Sequence, residues 1–251
     1  LAAGAHAIEW RGVTVRRGGR AVLDSVTLRI PAGGSLGVTG PIGAGKTTLL
    51  ELVARLTEPD AGSVHLDGVD VRRLPPAALR ARVALVAQDP FLFSETLRDN
   101  LRFGRPDADD AAILRAAGHA GLAADLGRIP GGLDARIGER GVTLSGGQRQ
   151  RATLARALLR GSGVLLIDDA FSAVDAATEA EILAGLAGAR GGRTTLVVSH
   201  RVHTLRHLDR VAVLDDGRVI EEGPPAELLA RDGPFARLDR AQRLEAELDA
   251  S

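Results

Sequence analysis

Apolar and polar residues alternate in two runs near the start of the sequence, over residues 8–15 and 22–30. Alternation at this spacing predicts β-strands that bury one face. The segment between them, residues 17–20, reads Arg-Gly-Gly-Arg, which is typical of a turn. We therefore expect the two strands to form an antiparallel hairpin.

Other strands are expected where short segments are apolar at almost every position, because the strands of a covered parallel sheet are buried on both faces. The segments with this pattern are residues 35–38, 83–86, 164–167, 194–198 and 211–214. Two further strands are predicted over residues 63–66 and 218–222. Helices are predicted over residues 47–55, 75–82, 176–189, 225–231 and 234–248. Strands and helices that alternate in this way predict an α/β domain.

Residues 89–160 have a different pattern, in which helical stretches are separated by glycine and proline. The predicted helices there are 95–101, 107–117, 122–126 and 146–159. We therefore divide the chain, residues 1–251, into two parts. One is a core with a β subdomain, about residues 1–88 and 161–251, and the other is a helical subdomain, about residues 89–160.

Composition narrows the class of function. The 32 basic and 32 acidic residues cancel, which argues against nucleic acid as a partner. The chain has no cysteine, so disulfides and thiolate metal sites are excluded. No apolar run approaches the roughly 18 residues of a membrane span. The chain also lacks methionine, and we expect it to be part of a longer protein.

The most specific chemical motif is G-x-x-x-x-G-K-S/T. In this sequence it reads Gly40-Pro41-Ile42-Gly43-Ala44-Gly45-Lys46-Thr47, followed by Thr48. A predicted strand precedes it and a predicted helix follows, and this context separates a phosphate-binding loop from a chance glycine turn. The backbone N–H groups of such a loop hold phosphate oxygens. Lys46, the only lysine in the chain, would lie beside the β- and γ-phosphates, and the Thr47 hydroxyl would ligate Mg²⁺.

Two carboxylates follow the apolar run 164–167. Asp168 ends that run, and behind a phosphate loop an aspartate in this position can hold Mg²⁺. Asp169 comes next, where it could orient or deprotonate an attacking water. Alternatively, Asp169 is a solvent-facing residue of a turn.

A second glycine-rich segment, Leu144-Ser145-Gly146-Gly147-Gln148, opens the predicted helix 146–159. The N-terminus of a helix can bind an anion. Ser145 can also be an ordinary helix N-cap, and the residue types alone favour the cap.

Together these motifs resemble the nucleotide-binding domain of ATP-binding cassette transporters, over about residues 8–238. The matching motifs are the Walker A loop 40–47, the Q-loop at Gln88, the signature 144–148, the Walker B strand 164–168, the D-loop 172–175 and the switch His200. Residues 88–94, 96–100 and 137–141 are typical of the exporter branch. The resemblance implies an α/β P-loop NTPase (RecA-like) core with a mostly parallel sheet, an antiparallel β subdomain and a helical subdomain.

The resemblance also implies a head-to-tail dimer of such domains with ATP and Mg²⁺ at the interface. Each ATP would be held by the Walker A loop of one domain and by the other domain's signature residues, Ser145, Gly146, Gly147 and Gln148. Asp175 of the D-loop would also lie at the nucleotide. The metal ligands would be Thr47, Gln88 and Asp168, and the catalytic residues would be Asp169, His200 and Gln88.

Two positions depart from the family pattern. The residue after Asp168 is usually Glu, and the shorter Asp169 predicts slow hydrolysis at this chain's own site. In the family an Asp here is typical of the degenerate half of a heterodimer, so the expected partner is a different subunit or half that carries Glu.

The aromatic residue that stacks on adenine is replaced by Arg17, whose guanidinium can stack on a base. Trp10 is expected to pack in the core.

The expected function is ATP binding and hydrolysis that powers export across a membrane. The chain would act at the cytoplasmic face of the cell membrane, with a transmembrane domain fused on its N-terminal side. Two alternatives remain open, a regulatory ATP-binding module without turnover and a soluble ABC ATPase of DNA repair or translation. The balanced charge and the lack of long insertions disfavour the second.

Overall fold

The computed structural model describes residues 4–138, 141–170, 179, 182 and 192–249. The predicted D-loop 172–175, most of the predicted helix 176–189, Glu139 and Arg140 lie outside these residues. Among the described helices, none is long and apolar enough to cross a membrane.

The first strands form the predicted antiparallel hairpin, in which β1 (Ile8–Arg17) pairs with β2 (Arg20–Ile30). Each strand is two residues longer than its alternating run, because pairing continues up to the glycine turn. On its other side β1 pairs with β4 (Ala61–Leu66), and β4 pairs with the two-residue β5 (Val69–Asp70). The result is an antiparallel sheet of order β2-β1-β4-β5.

A second, six-stranded sheet forms the centre of the molecule. Its strands are β3 (Ser35–Thr39), β6 (Val83–Val86), β7 (Val164–Asp168), β8 (Thr194–Val198), β9 (Arg210–Asp215) and β10 (Arg218–Gly223). Their order is β10-β9-β3-β8-β7-β6, and all neighbours are parallel except β9 and β10. The prediction of a largely parallel sheet is confirmed.

Both faces of the central strands are buried, as the all-apolar runs predict. Along β7, Val164 and Leu166 pack in one core with the β hairpin and the helix Lys46–Val53. Leu165 and Ile167 point to the other side and pack in a second core with the helical segments. The α/β fold expected from the sequence is therefore present, with the central sheet between two cores.

Helices fill the segment between β6 and β7. They are Leu97–Arg102, Asp110–His119, Ala123–Leu126 and Gly146–Arg160, with a 3-10 turn at Gly132–Asp134. Two of them begin two or three residues later than predicted, because Thr96 and Asp109 are N-caps outside the helix. The Thr96 side chain accepts a hydrogen bond from the N–H of Asp99, and the Asp109 side chain accepts one from Ala112.

The described residues also form helices beside the two sheets. These are Lys46–Val53, Pro76–Arg82, Val202–Leu205, Pro225–Ala230 and Pro234–Asp249, with a 3-10 turn at Val71–Arg73. The sequence does not predict Val202–Leu205 or β5, because elements this short carry no periodic signal.

Candidate functional site

The loop that follows β3 depends on glycines in unusual backbone conformations. Gly40 has φ 143° and Gly45 has φ 96°. A Cβ atom at Gly40 would lie 2.0 Å from the carbonyl oxygen of Leu214, and one at Gly45 would lie 2.5 Å from that of Val22. No side chain caps the helix that begins at Lys46. Its first N–H groups can therefore face a phosphate.

Lys46 is almost fully buried, with 7% of its surface exposed. Its Nζ donates hydrogen bonds to the carbonyl oxygens of Gly40 at 2.8 Å and Pro41 at 2.7 Å. Burial lowers the pKa of Lys46, and the charges of Asp169 and Asp168 partly oppose this shift. The loop thus holds the ammonium group in place with its own backbone.

Asp168 ends β7 and is buried close to Thr47. Burial raises the pKa of its carboxyl group, the hydrogen bond from the Thr47 hydroxyl lowers it, and the charges of Asp169 and Glu51 raise it again. Negative charge is therefore concentrated at a place where a cation would be favourable. A hydroxyl and one carboxylate suit Mg²⁺, which usually keeps several waters and binds substrate phosphates in addition to one or two carboxylates.

Asp169 has a left-handed backbone conformation with φ 44°. Aspartate enters this conformation more readily than most L-residues. Its N–H donates a hydrogen bond to the carbonyl oxygen of Val198 at 2.9 Å, which ties the end of β7 to the end of β8. The backbone of Asp169 is therefore fixed beside the phosphate loop.

One pocket of about 590 Å³ collects most of the predicted site residues. It is lined by Arg17, Ile42, Gly43, Gly45, Lys46, Thr47, Thr48, Gln88, Asp168, Asp169 and His200, together with Val22 and Val198, which no motif predicts. Gly40, Pro41 and Ala44 line the adjoining depressions. Asp175 lies outside the described residues.

Arg17 lines this pocket with its guanidinium fixed by an ion pair, in which Nη2 lies 2.7 Å from Oε2 of Glu51. Sequence reasoning misses Glu51. Its only signal is the spacing of four residues from Thr47, which places both on one face of the helix. Trp10 is fully buried, and its Nε1 donates to the carbonyl oxygen of Leu49 at 3.3 Å. The prediction that Trp10 packs in the core is confirmed.

The segment 144–148 lies outside the pocket. Ser145 Oγ accepts a hydrogen bond from the N–H of Gln148 at 3.2 Å, and Gln148 Oε1 accepts one from the N–H of Ser145 at 2.9 Å. This is a capping box, so within this chain Ser145 is the N-cap of the helix Gly146–Arg160. The chain does not bring its own Ser145, Gly146, Gly147 or Gln148 to its own phosphate loop.

Comparison with known proteins decides the family. Residues 23–172 match the family model described as ABC transporter. The chain belongs to the ABC transporter family. It is an ATP-binding domain of that family, whose ATPases are coupled to transport.

Several members of the ABC transporter family are similar over nearly the whole chain. The mycobactin import ATP-binding/permease protein IrtB of Mycolicibacterium thermoresistibile is 44% identical over 243 residues, which is 97% of this chain and 42% of that protein. The ATP-dependent lipid A-core flippase of Ralstonia nicotianae is 42% identical over 240 residues, which is 94% of this chain and 40% of the flippase.

A solved structure of a bacterial Atm1-family ABC exporter with ATP bound has a TM-score of 0.91 and 36% identity to this chain. The match covers 96% of this chain and 43% of the exporter chain. This chain therefore spans about two fifths of the length of these relatives. The similarity supports the P-loop NTPase fold inferred from the sequence.

Proposed function

We propose that this chain binds ATP with Mg²⁺ and powers export across a membrane as one of a head-to-tail pair of nucleotide-binding domains. The observation that carries the proposal is the single pocket lined by Lys46, Thr47, Asp168, Asp169 and His200. The similarity of the chain to an ABC exporter with ATP bound supports ATP as the ligand of this pocket.

The geometry of the pocket supports one orientation of the nucleotide. The phosphates would lie on the loop 40–47, where Lys46 would exchange two backbone carbonyls for phosphate oxygens. Thr47 and Asp168 would hold Mg²⁺ together with the exposed Gln88, and the metal would neutralise charge on the phosphates. The base would lie against the guanidinium plane of Arg17, which pairs with Glu51.

Titration of the assembled transporter with ATP tests the binding site. Lys46→Met removes the ammonium group and keeps most of the buried stem, so ATP affinity is expected to fall by about 10- to 100-fold. Arg29→Met, which replaces a cation with 70% of its side chain exposed on β2, is the matched control and is expected to leave the affinity unchanged. Equal affinity in wild type and Lys46→Met would contradict the proposal.

We further propose that hydrolysis at this chain's own site is slow. Asp169 is one methylene shorter than the usual glutamate, and its N–H is tied to Val198, so its backbone is not free to move forward in compensation. A misplacement of about 1 Å can cost about 100-fold in rate. The faster site would then belong to a different subunit or half that carries Glu, with this chain's Ser145 at its nucleotide.

A groove beside Gln88 is the expected contact for the membrane part of the transporter. It has a volume of about 210 Å³ and is lined by Phe91, Phe103 and Arg156 among others. Phe91 and Phe103 are 65% and 63% exposed, and the Arg156 guanidinium lies 6.0 Å from the Phe103 ring centroid. Exposed aromatic rings beside an arginine are typical of interface residues. A transmembrane domain bound here would hold the chain at the cytoplasmic face of the membrane.

A regulatory ATP-binding module without turnover is the second candidate, and Asp169 is the observation that favours it. Such a module would bind ATP through Lys46 in the same way. It would show no ATP cleavage at this chain's site, even after assembly with a Glu-bearing partner. Turnover in an assembled pair whose partner site has been inactivated therefore separates the two candidates.

A further inference from the structure

A single side chain from the C-terminal helix clamps the loop that carries His200. Nε2 of Gln242 donates a hydrogen bond to the carbonyl oxygen of His200 at 2.5 Å, and its Oε1 accepts one from the N–H of Val202 at 2.9 Å. The amide therefore fixes the backbone on both sides of Arg201. The His200 side chain itself is exposed and lines the nucleotide pocket.

The helix that carries Gln242, Pro234–Asp249, is itself anchored to the core. Phe235 is fully buried, and its N–H donates to Oε2 of Glu221 on β10 at 2.8 Å. Asp239 forms an ion pair with Arg206, which follows the helix Val202–Leu205. Residues 235, 239 and 242 are four and three positions apart, so they share one face of the helix. Gln242 thus meets the loop from a rigid element.

The same loop is held on its other side by a buried carboxylate. Nη1 of Arg201 donates to Oε2 of Glu179 at 2.7 Å, and the Thr204 hydroxyl also donates to Glu179, which is only 1% exposed. The backbone of the loop is therefore held by Gln242 and the Arg201 side chain by Glu179. The position of the His200 imidazole depends on this frame.

We propose that Gln242 is a positioning residue for His200. By fixing the backbone of the loop, it keeps the His200 imidazole where it can contact the γ-phosphate of ATP. Gln242 does not line the nucleotide pocket, so it acts through the loop and not on the nucleotide. The role rests on the proposed function because it requires ATP in that pocket. Under this proposal, a displacement of the helix Pro234–Asp249 would also move His200.

The test compares Gln242→Leu, Gln242→Glu and the matched control Glu245→Leu in a transporter assembled with a Glu-bearing partner whose own site has been inactivated, so that turnover reports this chain's site. Leu has a similar size but makes neither hydrogen bond, and Glu keeps only the acceptor for the Val202 N–H. We expect Gln242→Leu to lower kcat by about 10- to 100-fold, with KM for ATP changed by less than about twofold. Gln242→Glu is expected to be intermediate, and Glu245→Leu, an exposed position on the same helix, to match wild type.

A double-mutant cycle separates positioning of His200 from a general structural role. In a His200→Ala background, Gln242→Leu is expected to cause no further loss in single-turnover cleavage of γ-labelled ATP, because no imidazole remains to be positioned. If Gln242→Leu lowers the cleavage rate by the same factor in the wild-type and His200→Ala backgrounds, the proposal is overturned. A parallel loss of ATP affinity and thermal stability in Gln242→Leu also overturns it.

Hydrogen exchange at the Val202 amide gives a readout that does not need turnover. Exchange is expected to be faster in Gln242→Leu and close to wild type in Gln242→Glu, and unchanged exchange in Gln242→Leu overturns the clamp. If wild type cleaves ATP and Gln242→Leu cleaves it equally fast, only the positioning role fails. If wild type shows the protected amide but neither binds nor cleaves ATP, the proposed function fails and the role of Gln242 in its catalysis falls with it.

Discussion

The residues of the nucleotide pocket carry charges that the fold itself stabilises poorly. Lys46 and Asp168 are both buried. Burial lowers the pKa of Lys46 and raises the pKa of Asp168, and both shifts favour the neutral form of the side chain. A residue placed in this way reduces the stability of the empty protein and becomes favourable when a ligand of opposite charge arrives. We therefore expect stability and ligand binding to respond in opposite directions when these charges are removed.

Asp168→Asn is expected to show this opposition. The pKa of Asp168 is raised above its ordinary value of 3.8, so folding favours the protonated form and the destabilisation from this group grows as pH rises through the folded pKa. The Asp168→Asn variant should therefore have a higher Tm than wild type near pH 7, by about 2–4 °C for each 1 kcal/mol gained in the free energy of unfolding. The gain should shrink as pH falls towards 3.8.

Thermal melts of the Asp168→Asn variant between pH 4 and 8, with and without MgATP, check this expectation. MgATP is expected to stabilise wild type more than the variant, because the proposed function makes Asp168 a ligand of Mg²⁺. A Tm that drops at neutral pH, or a gain that persists at acidic pH, would contradict the assigned cause of the pKa shift.

At the scale of elements, the sequence predicts what depends on long patterns and specific motifs. The apolar runs locate β3, β7 and β8 because every position of these strands is buried. The phosphate loop is predicted because glycine spacing and one lysine define it. Glu51 and Gln242 are not predicted, since each meets its partner only after distant elements pack, and neither belongs to a motif.

The segment 144–148 shows how one element can have two roles. Ser145→Ala removes the cap of the helix Gly146–Arg160, which is expected to cost about 1 kcal/mol and to lower Tm by about 2–4 °C. Ser145→Asp keeps a capping side chain and is expected to keep Tm. In the assembled pair, Ser145 is proposed to contact the partner's ATP. Ser145→Ala removes that contact and Ser145→Asp places a carboxylate against the phosphates, so turnover at the partner's site should fall in both variants.

Tm and ATP turnover of Ser145→Ala and Ser145→Asp, measured on the assembled pair, separate the cap from the phosphate contact. ATP affinity at this chain's own Lys46 site should stay the same in both, because Ser145 does not line that pocket. If Ser145→Asp turns over ATP as fast as wild type, the segment serves only as a helix cap.

At the scale of the whole molecule, the two motifs that would together form one ATP site lie apart in this chain. Its phosphate loop, Asp168 and His200 lie in one pocket, and Ser145 caps a helix outside that pocket. The separation is explained if each chain supplies its signature to another domain. Asp169 would then affect hydrolysis only of the nucleotide bound to this chain, whereas Ser145 would contact the nucleotide bound to the partner.

The most direct measurement is ATP turnover by transporters that carry Asp169, Asp169→Glu or Asp169→Asn in this chain, each assembled with a Glu-bearing partner whose own site has been inactivated. We predict that Asp169→Glu raises kcat by about 100-fold, with ATP affinity changed by less than about twofold, and that Asp169→Asn is no faster than wild type. If wild type turns over ATP as fast as Asp169→Glu, the proposal that this chain binds ATP but hydrolyses it slowly is wrong.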